Sequence, residues 1–283
     1  MFETILVSGL KFLYAISGAT RTLSWFPFSV PRSFCPLLGF IYIFKYIQIL
    51  YIFRLFTFSS FYWFYYMCKS VETSLASYAV SFVCVCICLK LDAVSNAVRF
   101  ACMFILTFAT VQLLDAGLWW SIRNRDKPLN HAISRYAIPA LFAVELLVAY
   151  FGVNLMFGWR NAYYELGLAA FVVFTLGAWM FRFCPSGAAS YTAPDSTDGY
   201  LHWCGVELNA LTRVTFLFFL ISPILFGLPQ SATAIKYVLV APLLLTFIFN
   251  FNKITFGSRW CWSSNIASVV LLAYVIYARY FKP

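Results

Sequence analysis

The sequence predicts an all-α protein, a polytopic transmembrane helix bundle with about seven spans after Met67. Hydrophobic residues make up 63% of the chain and charged residues only 11%, against roughly 25% charged residues in a soluble domain. Apolar runs of roughly 15–22 residues, long enough to cross a bilayer, recur from Ser74 to Tyr277. These runs lack the period-2 alternation of membrane barrel strands, so we expect them to satisfy their backbone groups as helices.

Residues 1–66 form an aromatic-rich N-terminal extension. They hold 21 Phe, Tyr and Trp residues and Glu3 as their one acid, whereas residues 67–283 hold nine acids. Three interpretations are open: an organellar transit segment, an extra span or surface helix, or an upstream segment outside the working protein. The aromatic-rich block Phe56–Tyr66, which has almost no structural punctuation, favours the third interpretation, in which translation begins at Met67.

Seven predicted spans follow in order and make residues 67–283 a transmembrane domain. Their approximate bounds are Ser74–Leu89, Arg99–Trp120, Tyr136–Val153, Glu165–Phe181, Leu211–Leu228, Tyr237–Phe251 and Ile266–Tyr277. Most connections are short, as in packed helical bundles. Residues 184–213 are the exception, because this stretch is long and rich in Pro, Gly, Ser and Asp. We expect it to be the one substantial loop outside the membrane.

The distribution of charge indicates how the bundle meets the membrane. Lys and Arg residues lie mostly at the ends of the apolar runs, so the net charge of +10 predicts the lipid bilayer as partner and no nucleic acid. Counted from Met67, the side with the N-terminus and the long loop carries nine Lys or Arg residues and the other side six. This bias favours a cytoplasmic position for the first side of an integral, multi-pass protein.

Tryptophan and proline positions also fit a membrane bundle. Six tryptophans near the predicted span ends are expected to form an interfacial belt: Trp119, Trp120, Trp159, Trp203, Trp260 and Trp262. Three prolines interrupt predicted spans and free backbone carbonyls, as in the broken helices of transporters: Pro139, Pro223 and Pro242.

Gln112, Asp115 and Glu145 are the candidate residues for a ligand or ion cavity. An ionisable side chain at the bilayer centre costs about 2.5–3.5 kcal/mol, so these side chains should face the bundle interior. Gln112 and Asp115 share one face of the second span, and Glu145 lies near the midplane in the third. We hypothesise that the three line a polar cavity for a proton, a cation or a small polar ligand. In the alternative, Asp115 pairs with Arg123 or Arg125, and Glu145 is protonated or bonded to a neighbouring helix.

Four cysteines fall on one side of the membrane in this topology: Cys68, Cys184, Cys204 and Cys261. Facing an oxidising lumen, Cys68–Cys261 or Cys184–Cys204 are able to form disulfides, whereas on a cytosolic side all four should be free thiols. His202 lies near Cys204 but has no C-x-x-C partner and no second nearby His. The sequence therefore predicts no metal site and no cofactor.

Several short motifs resemble an uncharacterised family of seven-helix membrane proteins from protists and large DNA viruses. They are Met67-Cys68-x-Ser70, Gln112 with Asp115, Leu129-Asn130 and Gly257-Ser258-x-Trp260-Cys261-Trp262. The resemblance covers nearly all of residues 67–283 and none of residues 1–66. This sequence departs from the family pattern at Lys69, where an aromatic residue is expected, and at Asp115, where the family has Glu. The resemblance implies a natural start at Met67 and seven spans, and it implies no activity.

These observations leave three functional classes. The leading hypothesis is a transporter, channel or receptor-like bundle that binds a small ligand or ion at Gln112, Asp115 and Glu145. The second is a structural or assembly subunit of a membrane complex. The third is an intramembrane lipid-modifying enzyme in which His202 works with Glu145 or Asp115. No Walker A, G-x-S-x-G or H-E-x-x-H motif is present, so no catalytic residue is assigned and a non-enzymatic function is favoured.

Overall fold

The computed structural model describes residues 68–92, 95–176, 191–196, 198–203, 210–251, 253 and 255–281. All of them belong to one compact unit, Phe61–Pro283. These residues are almost entirely helical, and the prediction of an all-α transmembrane bundle is confirmed. The interpretations of residues 1–66 concern a segment outside the described residues, and Cys184 and Cys204 also lie outside them.

The described part of the chain contains α-helices and one small antiparallel sheet. Their bounds are α1 Val71–Leu91, α2 Asn96–Arg123, α3 Lys127–Ala132, α4 Ile138–Phe157, α5 Ala162–Phe171, β1 Ala193–Pro194, β2 Leu201–His202, α6 Ala210–Ser222, α7 Thr233–Asn250, α8 Phe256–Arg259 and α9 Cys261–Tyr280. Wider π-helical turns extend some of these helices at Ile133–Ala137, Val172–Leu176 and Pro223–Gly227, and a 3₁₀ turn at Gln230–Ala232 precedes α7.

Six helical segments are long and apolar enough to cross a membrane. They are Val71–Leu91, Asn96–Arg123, Lys127–Phe157, Ala210–Gly227, Gln230–Asn250 and Phe256–Tyr280. A further apolar helix, Ala162–Phe174, is shorter within the described residues and coincides with the predicted fourth span. The chain is therefore a multi-pass integral membrane protein, and its described residues contain six to seven candidate spans.

Side-chain caps explain where several of these helices begin and end. Ser70 caps α1 in a capping box with Thr73, Ser95 caps α2, and Asn161 caps α5. Gly158 ends α4 in the left-handed conformation, with φ of 72°, which glycine adopts without a Cβ clash. The short connections thus supply the hydrogen bonds that the helix termini lack.

Helix α2 lies at the centre of the bundle. It packs against α1, α4 and α9, while α9 also packs against α1 and α7, and α6 packs against α4. Of the most apolar stretch of α2, 56% is buried, compared with 33% for α1. A row of α2 rings, Phe100, Phe104 and Phe108, continues into Trp260, whose ring centroid lies 5.9 Å from that of Phe108. This central position brings the polar face of α2 against α9.

The structure corrects the sequence-based expectations for two tryptophans and one proline. The prediction that Trp203 and Trp260 belong to the interfacial belt is wrong, because these residues are only 2% and 1% exposed. Both rings pack inside one end of the bundle, on Phe142 and Phe108 respectively. Pro242 does not break its span, because α7 continues through it, whereas Pro223 lies in a π-helical turn.

Candidate functional site

The centre of the candidate site is the carboxyl group of Asp115, which is completely buried on α2. Its Oδ1 accepts a hydrogen bond of 3.0 Å from the indole Nε1 of Trp203, and its Oδ2 accepts one of 3.2 Å from Ser258 Oγ. Both oxygens are therefore satisfied, as a buried carboxyl requires. The three residues come from distant parts of the chain, since Trp203 lies 88 positions after Asp115 and Ser258 lies 143 positions after it.

The alternative in which Asp115 pairs with Arg123 or Arg125 is wrong. Asp115 points into the bundle, and among the described residues it makes no ion pair with either arginine. Arg123 instead pairs with Glu72 at 3.2 Å, between side chains that are about 70% exposed. The reason is geometric: Asp115 shares the buried face of α2 with Gln112, whereas Arg123 lies at the solvated end of the helix.

Two of the four singled-out cysteines lie next to Asp115. Cys68 and Cys261 are both completely buried and are joined by a disulfide. Their sulfur atoms and a carboxylate oxygen of Asp115 all lie within 4.8 Å of one another. The site thus combines two soft sulfur atoms with one hard carboxylate oxygen.

The backbones of both cysteines are held by hydrogen bonds that do not involve sulfur. Trp119 Nε1 donates to the carbonyl of Cys68 at 2.9 Å. The carbonyl of Cys261 accepts from Gln112 Nε2 at 3.3 Å, from Ser264 Oγ at 2.8 Å and from Asn265 Nδ2 at 3.2 Å. These bonds hold the backbones of the two cysteines without any contribution from the disulfide.

A polar seam continues from this site along the interface of α1, α2 and α9. Gln112 Nε2 also donates to Ser264 Oγ at 3.0 Å, and Ser81 Oγ contacts Asn265 Oδ1 at 3.2 Å and Ser268 Oγ at 3.4 Å. All of these side chains are buried. The Oε1 of Gln112 has no hydrogen-bond partner among the described residues. The seam explains why these three helices pack together, since each leaves polar groups that the others satisfy.

A hairpin from the long predicted loop covers the site. We call residues 191–196 and 198–203 the cover hairpin; it pairs Ala193 with His202 and Pro194 with Leu201. One end is bound by Asn130, whose Nδ2 donates to the carbonyl of Thr192 at 3.1 Å and whose Oδ1 accepts from the N–H of Thr192 at 3.0 Å. Asn130 therefore holds this segment as a neighbouring strand would.

The other end of the cover hairpin is bound to the start of the last span. Asp198 pairs with Arg259 at 2.6 Å and accepts a hydrogen bond of 2.9 Å from Thr255 Oγ1. The guanidinium of Arg259 also lies 4.5 Å from the ring centroid of Tyr200, and Lys69 Nζ lies 4.7 Å from the same centroid. Burial works to raise the pKa of the Asp198 carboxyl, but the hydrogen bonds and the nearby Arg259 outweigh it and hold the pKa below its usual value.

The fit between Trp203 and Gly257 completes the cover. A Cβ at position 257 would lie 2.3 Å from Cε3 of the Trp203 indole, so only glycine leaves room for this ring. The Trp203 ring also packs against Phe142, with 5.9 Å between the two ring centroids. Gly257 in the Gly257-Ser258 motif is therefore required by the ring that bonds Asp115, while Ser258 supplies the second hydrogen bond.

Glu145 is buried separately on α4. It is completely buried, and neither of its carboxyl oxygens has a hydrogen-bond partner among the described residues. It follows Phe142 by three residues and so lies about 4.5 Å deeper along α4 than the ring that touches Trp203. The structure thus brings Gln112 and Asp115 into one hydrogen-bonded site with α9, and it joins Glu145 to neither of them by a hydrogen bond.

His202 does not join the two acids. It lies on β2 between the buried residues Leu201 and Trp203 and is more exposed than either, because successive strand residues point to opposite sides. It makes no hydrogen bond to Asp115 or Glu145 in the described structure. The convergence that the enzyme hypothesis requires is therefore not formed here.

Comparisons with protein-family models, with curated proteins and with solved structures found no match.

Proposed function

We propose that the protein is a transporter-like or channel-like bundle that binds a proton or small cation at Glu145. The observation that carries this proposal is the complete burial of an acid whose two oxygens both lack hydrogen-bond partners among the described residues. Each buried, unsatisfied polar atom costs about 1–3 kcal/mol, so such a residue is expensive in a purely structural role. Acids within membrane spans often mark ion pathways and proton relays, so a carboxyl of this kind suits a protein that binds and releases a cation.

The charge of the site supports a proton as the bound species in this conformation. An ionised carboxylate without a partner in a low-dielectric interior is unfavourable by several kcal/mol, so Glu145 is neutral when it is enclosed as seen here. If the helices open to water, the carboxyl ionises and can exchange its proton for another cation. Binding and release are then coupled to a change in the packing around α4.

The helices around Glu145 contain segments suited to such a change. The span that carries Glu145 includes the π-helical turn Ile133–Ala137, and α4 packs against a second π-helical turn, Pro223–Gly227. π-helical turns widen the backbone locally and are frequent at functional sites. Movement at these two turns would separate α4 from α6 without breaking either helix.

The test is the accessibility of position 145 to water. Glu145→Cys is made in the full chain with its native cysteines retained, reconstituted in liposomes, and treated from each side with a membrane-impermeant thiol reagent. Leu146→Cys is the matched control, because Leu146 is the next residue and is equally buried. We expect labelling at position 145 above the wild-type background and none at position 146.

Labelling from both sides would favour transport, and labelling from one side would favour a receptor-like or gated site. If neither variant is labelled in a folded protein, the proposal fails and Glu145 is a packing residue. The protein would then be better described as a structural or assembly subunit. Glu145→Gln, which keeps the shape of the side chain but cannot ionise, should abolish any cation flux that the wild-type liposomes support.

A further inference from the structure

We propose that Cys68, Cys261 and Asp115 form a binding site for a thiophilic divalent cation, with Zn²⁺ as the type ion, when the cysteine pair is reduced. Thiolate sulfur and carboxylate oxygen are both common zinc ligands. The proposal rests on the mutual geometry of the three side chains, on the groups that hold them and on a central carboxyl that forms no ion pair with a described Lys or Arg. It does not depend on the role of Glu145.

The distances fit a tetrahedral ion. Zinc bonds of about 2.3 Å to sulfur and about 2.0–2.2 Å to oxygen place the ligand atoms about 3.6–3.8 Å apart. The two sulfurs and a carboxylate oxygen of Asp115 already lie within 4.8 Å of one another. The Cα atoms of Cys68 and Cys261 are 7.4 Å apart, wider than the roughly 4.4–6.8 Å that is usual for a disulfide. The sulfurs therefore have room to separate around an ion while the two backbones stay in place.

The carboxyl of Asp115 is held as a metal ligand should be held. Trp203 and Ser258 each donate to one of its oxygens, and each oxygen keeps a further lone pair for a metal. Such outer hydrogen bonds fix the orientation of a ligating carboxylate and tune its affinity. Both donors are neutral, and no described Lys or Arg forms an ion pair with Asp115. A divalent cation would supply the positive charge that this buried group lacks.

The cysteine positions do not depend on the disulfide. The carbonyl of Cys68 is fixed by Trp119, and that of Cys261 by Gln112, Ser264 and Asn265. Reduction therefore leaves two thiols aimed at the same point beside Asp115. Three protein ligands leave the fourth tetrahedral position open, which is the arrangement of zinc sites that accept water or another ligand.

A dithiol is the reductant for the Cys68–Cys261 disulfide. The dithiol transfers two electrons and two protons to the disulfide, becomes a cyclic disulfide itself, and leaves the Cys68 and Cys261 thiols. Zinc binding then releases both thiol protons to solvent, because thiolate is the ligand. The excess of Lys and Arg on this side of the membrane favours a cytosolic face, where thiols are kept reduced.

The experiment measures zinc retained by the full chain. Purified protein in detergent is reduced with dithiothreitol, desalted under nitrogen, incubated with ZnCl₂ and desalted again, and zinc is measured by mass spectrometry. We expect roughly one zinc ion per chain in the wild type. Cys68→Ser and Cys261→Ser should retain at least about tenfold less, and Asp115→Asn about tenfold less, because each removes a ligand. Cys86→Ser, which removes an exposed cysteine far from the site, is the matched control and should match the wild type.

A second measurement needs no variant. The reduced wild type loaded with Co²⁺ in place of zinc should show thiolate-to-cobalt charge-transfer absorption, which the unreduced protein should lack. The proposal is overturned if the reduced wild type retains no zinc, if Cys68→Ser and Cys261→Ser retain the wild-type amount, or if the cobalt spectrum lacks the thiolate band. If a variant elutes as aggregate on size exclusion, the cobalt spectrum of the wild type decides.

Discussion

At the scale of single residues, the candidate site depends on small groups that leave space for large ones. Gly257 admits the indole of Trp203, and Ser258 beside it reaches Asp115. The Trp203 ring then fills the space above α2 and donates its one N–H to the carboxyl. A single added methyl group at position 257 would therefore act on the carboxyl through the ring.

We predict that Gly257→Ala displaces Trp203 and destabilises the protein by about 1–3 kcal/mol, since overpacking a filled interior forces side chains from their rotamers. Thermal unfolding in detergent measures the loss, and intrinsic tryptophan fluorescence reports the displaced ring. Gly167→Ala is the control, because its new Cβ would meet only the edge of the Phe219 ring at 3.2 Å. Equal stability of Gly257→Ala and wild type would contradict the tight fit.

The burial of Asp115 and Gln112 could be predicted from the sequence, because the cost of a polar group in a bilayer already directs both side chains inward. Their partners could not be predicted. Trp203 lies in a loop, and its position near a predicted span end is typical of an interfacial residue. Only the folded chain brings residues separated by 88 positions together, and no local pattern records that pairing.

At the scale of elements, the cover hairpin shows how a loop becomes part of the site. Its own pairing is two residues long on each strand, too short to be stable alone. Asn130 binds one end and Asp198 binds the other to Arg259. The sequence predicted a substantial loop here but not an ordered hairpin. The residues that hold the hairpin, Asn130 and Arg259, lie outside the loop and are distant from it in sequence.

We predict that Asn130→Ala releases this end of the hairpin. The change removes the two hydrogen bonds between the Asn130 side chain and the buried backbone of Thr192, at a cost of about 2 kcal/mol. Hydrogen exchange of residues 191–203 should increase in the variant, while exchange in α2 stays slow. Asn124→Ala, at an exposed asparagine, is the control and should exchange as the wild type does. Unchanged protection in Asn130→Ala would show that Asn130 does not hold the hairpin.

At the scale of the whole molecule, one end of the bundle is polar and the remainder is built for lipid. Residues from α1, α2, α9 and the cover hairpin meet at this end, and large apolar side chains such as Leu155 and Phe226 are exposed on the outside. The order of the spans followed from apolar length alone: six of the seven predicted spans are long apolar helices among the described residues, and the fourth overlaps the shorter apolar helix Ala162–Phe174. The start of the last span could not be predicted from apolar length. Residues 260–265 include aromatic and polar side chains that are buried only because they contact other helices.

We predict a stability that declines in acid because of Asp198. Its folded-state pKa is depressed, so the stabilisation is present above the unfolded-state value, near 3.8, and is lost as pH falls through the lower folded-state value. The measurement is the unfolding temperature between about pH 3 and 6, taken as the difference between wild type and Asp198→Asn. This difference should be constant at the upper end and shrink below about pH 4. A difference that is independent of pH would exclude this role for Asp198.

The pairing of α9 with α1 and α2 also has a consequence for biosynthesis. A ribosome delivers α1 and α2 to the membrane long before α9, which holds Asn265, Ser264 and Cys261 and is among the last segments made. Until then Ser81 and Gln112 lack these partners, and Asp115 lacks Ser258 of α8, which is made just before α9; polar groups without partners are costly in hydrocarbon. Chains that stop short of α9 therefore expose an unmatched polar face within the bilayer, which distinguishes an incomplete product from a finished one.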